Sequence, residues 1–406
     1  MTADAAAVAQ QPRKLPPVAA RVDAALLAMD ADLDWLRALS PRDGDDLWRA
    51  FQDSGYARVP PLSYDDPVLD LHEARTRLMA LPVEDIESPL LQGLLAEKQR
   101  ELDRMIELVR LRGTDGFINA SIDLFGAVEP SLLRLARDIL ASVRPGVALE
   151  ADTGIDEVLE AVEAEMAWYR TQAPGFRTEV RVDPDLTSMM MVSHGVFYIH
   201  ADIRLPRARL QPLIQHEIGT HVVTRHNGAR QSLRQLEVGL ADYDPLQEGL
   251  GVLAEFLAGY LPGERLRVLA ARVVAAGMAI HGEGIPAVFA CLHETHGLPT
   301  DDAFDIALRA LRGGGLTKDA VYLRGLRELV EYLEGDGDFA SLFVGKFALS
   351  HRVVLDQLIE QGWVVPPDLL PRYTRLPDFD DRLARCRATP IDRLYQQAPL
   401  TQEQAA

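Results

Sequence analysis

The chain predicts a mainly α-helical fold with one small antiparallel β-sheet, an α+β protein. Apolar residues recur at i, i+3, i+4 and i+7 through most of the 406 residues, the spacing of one buried helical face. A single region, 177–205, alternates apolar and polar residues as a half-buried strand does. No internal repeat interrupts this plan on inspection.

The elements follow in order. Val22, Ala25, Leu26 and Met29 set the face of a first helix over 20–38. Further helical periodicity covers 67–80, 88–112, 130–144 and 153–171. The apolar string Ser121–Gly126 fits either state. Thr178–Val182 and Thr187–Ile203 carry the strand signal, the latter folded at Ser193-His194-Gly195 as a tight hairpin. A helix over 206–226 and another over 245–260 come next, both strongly apolar, followed by helices at 262–281, 300–312, 317–335 and 346–361. Residues 1–18 and 396–406 lack any period and read as disordered tails. Between them lie a helical N-terminal region, 19–165, and a second region, 166–395, with no Pro/Gly-rich linker at their junction.

Composition narrows the class. A hydrophobic share of 48% suits a globular protein, and the longest apolar runs are broken by Glu255 and Arg272, so none reaches membrane-spanning length. A net charge of −19 argues against nucleic acid and against an anionic membrane surface. Cys291 and Cys386 lie far apart and outside metal-type spacing, and the N-terminus lacks a secretory pattern, which together favour a cytoplasmic protein.

The chemistry concentrates in 206–260. His216-Glu217-Ile218-Gly219-Thr220-His221 offers two imidazoles, and Gln247-Glu248-Gly249-Leu250 offers a carboxylate. Two neutral imidazoles and one carboxylate suit a single Zn²⁺ with its fourth position open to water. Glu217, beside the first imidazole, stands where a general base for hydrolysis belongs. The histidines are five apart, about 140° round an ideal α-helix, and could not share a metal there. One extra residue per turn restores a common face, so a π-bulge is expected at Ile218–His221. Glu255, two turns after Glu248, is placed to accept a hydrogen bond from a ligand imidazole.

Other histidines fit ordinary roles better. His226 precedes Asn227-Gly228 at a helix end, His293 and His296 precede Gly297 at another, and His194 and His200 belong to the hairpin. Only four lysines occur, Lys14, Lys98, Lys318 and Lys346, in a chain otherwise reliant on arginine. Drift explains each singly; a peptide's terminal carboxylate would nevertheless need a cation, and Lys318, Arg324 and Lys346 are the candidates. Tyr322, one turn from Lys318, could donate to the oxyanion, with Tyr243 as its rival. A strand within 187–203 could hold an extended substrate by its edge or serve packing alone.

The strings LIQHEIGTHVVTRHNG (213–228), LRQLEVGLADYDPLQEGLGVLAEFLAG (233–259) and TKDAVYLRGL (317–326) resemble the tyrosine carboxypeptidase-like metallopeptidases. That family includes microtubule-associated tyrosine carboxypeptidases and bacterial proteins named for a QEGLA motif and for modulating flavohaemoglobin expression. The resemblance implies a zincin-like metallopeptidase with an HExxxH helix. It implies His216, His221 and Glu248 as ligands of one Zn²⁺, and Glu217 as catalytic acid/base. It implies a zinc carboxypeptidase acting on a peptide or protein C-terminus, with an aromatic preference. Gly251 stands where the motif's name has Ala, a change expected to leave Glu248, three residues earlier, undisturbed. Two alternatives keep the same residues: a catalytically silent zinc-binding regulator, and a zinc hydrolase of a non-peptide amide or ester.

Overall fold

The computed structural model describes residues 11–42, 44–146, 149–184, 186 and 188–396. Eight helices come first: α1 (Pro17–Asp32), α2 (Trp35–Ala38), α3 (Gly44–Asp53), α4 (Leu71–Met79), α5 (Pro89–Arg110), α6 (Phe117–Phe125), α7 (Pro130–Ser142) and α8 (Ile155–Gln172). Strands β1 (Glu179–Asp183), β2 (Met190–Ser193) and β3 (Val196–His200) follow. Helix α9 (Arg207–Ile214) then runs through a π-helical turn (Gln215–Val222) into α10 (Val223–Ala229). The remainder is α11 (Gln235–Val238), α12 (Asp244–Leu257), α13 (Gly263–Ile280), α14 (Ile285–Ala290), α15 (Thr300–Leu311), α16 (Val321–Glu334), α17 (Arg352–Glu360) and α18 (Phe379–Ala388).

Proline opens α1, α5, α7, α12 and α14, where its missing N–H costs nothing. The string at 121–126 is the C-terminal half of α6, closed by Gly126 at φ 80°. Helices α3 and α18 escape the periodic signal because each buries few apolar side chains, Leu47 and Phe51 in α3 and Leu383 and Cys386 in α18. The helix expected from residue 346 begins later: a 3₁₀ turn over Leu349–His351 leads into α17. Of the expected tails, 1–10 and 397–406 lie outside the described residues. Arg13 and Gln396 are held in place: the Arg13 N–H donates to the Gly362 carbonyl (2.6 Å), and Gln396 exchanges backbone and side-chain bonds with Leu261 (2.8 and 2.6 Å).

The sheet is mixed rather than antiparallel. Its order is β1-β3-β2, with β1 parallel and β2 antiparallel to β3. The β2–β3 hairpin closes at His194 (φ 47°) and Gly195 (φ 80°), the left-handed pair a two-residue turn demands. With β2 taking one side of β3, β1 pairs on the other and runs alongside it. That leaves β2 as an edge strand facing the π-helical turn.

Helix α12 is buried along nearly its whole length between the π turn and α16. Its crossing with α16 is close because two glycines meet: a Cβ on Gly325 would lie 1.7 Å from the Pro245 carbonyl oxygen, and one on Gly249 would lie 2.6 Å from the Gly325 carbonyl carbon. From the N-terminal half, the Asp23 carboxylate on α1 caps α11, accepting from the Arg234 and Gln235 N–H groups (2.8 and 3.1 Å). Fully buried Lys98 on α5 bridges Asp30 (3.1 Å) and Glu101 (2.7 Å), and Glu101 accepts the Asp242 N–H (2.8 Å) just before α12. Among the described residues no helix is long and apolar enough to cross a membrane.

Because the atom facing Gly325 is backbone, relief requires moving a helix. Gly325→Ala should destabilise the fold by about 3 kcal/mol, the upper end of the overpacking range. Chemical denaturation read by circular dichroism checks this, and an unchanged midpoint would refute the helix contact.

Candidate metal and catalytic site

The local backbone of 215–222 is what lets the motif work as a set. In a π-helix residues five apart follow one another round the turn, and the Thr220 hydroxyl donates to the Gln215 carbonyl (3.3 Å), five residues back. The His216 and His221 rings accordingly lie on one face, centroids 5.2 Å apart and planes at 72°. Helix α12 carries Glu248 opposite them, its Oε2 3.9 Å from His216 Nε2. One donor atom each from His216, His221 and Glu248 fall within 4.8 Å of one another.

Each imidazole is held from behind. His216 Nδ1 pairs with Glu255 Oε1 at 3.0 Å. His221 Nδ1 lies 3.5 Å from Gln247 Oε1, which also accepts the Thr224 hydroxyl (2.9 Å). These contacts occupy Nδ1 and leave both Nε2 atoms free to act as ligands. Glu255 is fully buried, and burial alone would raise its pKa. Arg265 and Arg209, at 3.3 and 2.6 Å, outweigh that, so its carboxyl ionises well below the usual range. Burial, reinforced by His216 and Lys346, holds His221 well below its ordinary pKa, in the neutral form a ligand needs. The donor set therefore fits a divalent ion of the zinc type.

Glu217 is buried beside this set. It accepts the Val192 N–H from β2, while its Oε2 has no partner. Burial and Glu248 raise its pKa to about 7, against the lowering influence of His216. A carboxylate tied by one oxygen to a strand edge, with the other open, is arranged to exchange a proton.

The remaining candidates separate. Tyr322 interacts most strongly with Glu248 among charged neighbours, and burial followed by Glu248 raises its pKa, keeping the hydroxyl a donor. Tyr243 lies beneath the Lys346 ammonium, 5.7 Å from it. Lys318 pairs with Asp244 at 3.0 Å and faces Trp35 and Phe125 at 5.8 and 5.6 Å. Lys346, fixed by backbone pairing with Leu236 and Leu240, forms no ion pair among the described residues, and burial with help from Arg225 brings it down to about 8 against the influence of Asp244 and Glu248.

Arg324 is a correction. Its guanidinium donates to the Phe125 and Ala127 carbonyls (2.7 Å each) and pairs with Glu129 (3.1 Å), fastening α16 to the α6–α7 turn rather than facing substrate. Gly251 lies against the first imidazole: a Cβ there would lie 2.6 Å from His216 Cε1 and Nε2, so an alanine would press on that ring. His226 lies against Asp368 at 3.8 Å, and His293 Nδ1 bonds the Leu298 carbonyl (2.7 Å), both away from the set. His200 accepts the Asp202 N–H (2.9 Å).

Sequence reasoning missed Gln247, Arg209, Arg265 and the Val192 N–H. Only Gln247 left a signal, as the residue before Glu248 in the motif.

A family model described as microtubule-associated tyrosine carboxypeptidase matches residues 49–389, which hold every residue of this site. A search of curated proteins finds no match. Among solved structures, a protein described as a lipoprotein of Colwellia psychrerythraea overlaps 78% of this chain and 66% of its own, at 12% identity and a TM-score of 0.42, too low to support any inference.

Glu255→Gln keeps the side-chain shape but removes the charge behind His216. Zn²⁺ affinity should fall about 10–100-fold, measured by competition with a chromophoric chelator, while secondary structure persists. Unchanged affinity would show that His216 is not a ligand.

Proposed function

From the premise that the chain belongs to the microtubule-associated tyrosine carboxypeptidase family, we propose that it is a zinc-dependent metallocarboxypeptidase trimming the C-terminus of peptides or proteins. The observation that carries this reading is the buried, unpaired oxygen of Glu217 next to three converging donor atoms. A structural metal site closes its fourth position and has no use for a buried base. When bound, Zn²⁺ supplies Lewis acidity and brings the pKa of a water toward about 7.

The protein groups then divide the work. Glu217 takes the proton of the attacking water and passes it to the leaving amine, its other oxygen steadied by the Val192 N–H. Tyr322 or Tyr243 donates to the oxyanion as the scissile carbonyl becomes tetrahedral. Strand β2, an edge strand in contact with the π turn, offers backbone groups to an extended peptide. Trp35 and Phe125, gathered round Lys318, form an aromatic wall consistent with a preference for a C-terminal aromatic residue, as the family's description states of tyrosine.

Glu217→Gln is the decisive variant. Wild type and variant should both carry about one Zn²⁺ per chain, whereas the variant's peptide trimming should fall about 10²–10⁴-fold. Metal analysis and mass spectrometry of a peptide library check both. Zinc without trimming in wild type would favour a silent regulatory protein or a non-peptide substrate.

A further inference from the structure

Next to Tyr322 lies a second polar cluster that the hydrolytic reading does not use. Helices α13 and α15 and the turn after α15 bring Arg272, Arg309 and Arg312 round one carboxylate, Asp319 on the 3₁₀ turn before α16. Arg309 takes both oxygens of Asp319, at 2.6 and 2.8 Å. Arg272 Nε stands 3.9 Å from the same group, and its guanidinium covers the Tyr322 ring at 5.0 Å. The side chain of Arg312, a residue 9% exposed, makes no hydrogen bond or ion pair among the described residues. The Nε atoms of both Arg272 and Arg312 are buried without an acceptor. Asp302 and Asp305 are the other nearby acids; burial raises the pKa of each, and neither forms a hydrogen bond or ion pair with Arg272 or Arg312 among the described residues.

Buried guanidinium donors thus stand without an acceptor on both Arg272 and Arg312, an arrangement folding alone disfavours. The backbone nevertheless enforces it. Gly313, Gly314 and Gly315 all have positive φ, and a Cβ on Gly313 would lie 2.3 Å from the Phe117 ring. The Gly313 N–H donates to the Tyr64 hydroxyl, and its carbonyl accepts the Gly113 N–H, both at 2.7 Å. Arg312 is thus presented by a turn pinned from two sides. Planar forks with unused donors match a carboxylate in shape and charge. Tyr322 links the cluster to the chemistry: the Arg272 guanidinium covers its ring at 5.0 Å, and Glu248 is among the charges that raise its pKa after burial. Lys318 is neutralised by Asp244, which leaves Lys346 as the rival cation.

We propose that Arg272 and Arg312 form a subsite for a carboxylate of the substrate's C-terminal residue. The assignment rests on the carboxypeptidase reading for the identity of that carboxylate, which is either the terminal α-carboxylate or an acidic side chain.

Binding separates these sources without turnover. In the zinc-loaded Glu217→Gln protein, calorimetry would compare N-acetylphenylalanine, N-acetylphenylalanine amide and N-acetylglutamic acid α-amide. At least one carboxylate-bearing probe should bind ten-fold or more tighter than the phenylalanine amide, and adding Arg312→Gln or Arg272→Gln should abolish the preference. Preference for the first probe assigns the α-carboxylate, and preference for the third assigns the side chain. No preference over the amide, or a preference lost only in Lys346→Met, overturns the proposal. Arg312→Met in the unliganded protein should keep or raise the melting temperature. A lower melting temperature with unchanged binding would mark Arg312 as structural and overturn it. A wild type that trims no peptide yet binds carboxylates through these arginines would refute the carboxypeptidase reading while upholding the subsite.

Discussion

Two imidazoles five residues apart reach a common point only if the backbone between them winds wider than an α-helix. The rest of the site hangs on that constraint. The π turn over Gln215–Val222 puts His216 and His221 on one face, turns Glu217 toward the Val192 N–H of β2, and presents that face to α12. A π-helical stretch is rare and intrinsically unfavourable, so the packing around it has to hold it. Every residue from 215 to 222 is buried, and the side chains of Gln247, Glu255 and Thr224 lie against it.

The metal candidates occupy the centre of a graded electrostatic arrangement. Glu255, kept ionised by Arg209 and Arg265, orients one imidazole, whereas the neutral Gln247 amide orients the other. Behind Tyr322 the composition changes, with Arg272, Arg309 and Arg312 gathered round Asp319. The site therefore runs from carboxylates at the metal candidates to guanidinium groups with buried, unpaired donors beyond them. That polarity suits a substrate with a carbonyl at one end and a carboxylate at the other.

Much of the fold was legible because long helices with continuous apolar faces declare their period. Helices α5, α7, α8, α13 and α15 lie where spacing predicts them. Short or weakly buried elements did not declare themselves: α3 buries only Leu47 and Phe51, too few to define a period. The sheet's strands and hairpin were readable from alternation and from His194-Gly195. Its parallel β1–β3 pairing was not, because side-chain alternation is the same in either direction.

Sequence by itself determined the metal-type donor set, the need for a widened turn between its histidines, Glu255 as a partner on the next helix, and the family to which the strings belong. These are properties of residue type and spacing along one chain. Tertiary structure alone decided which cations face the site. Lys318, Arg324 and Lys346 are indistinguishable by sequence, yet one is paired with Asp244, one fastens the α6–α7 turn, and one forms no ion pair among the described residues. It also decided that Gly251 touches His216 and that Arg272 and Arg312 gather beside Tyr322. Contacts between residues scores of positions apart depend on how helices cross, and local spacing carries no record of that.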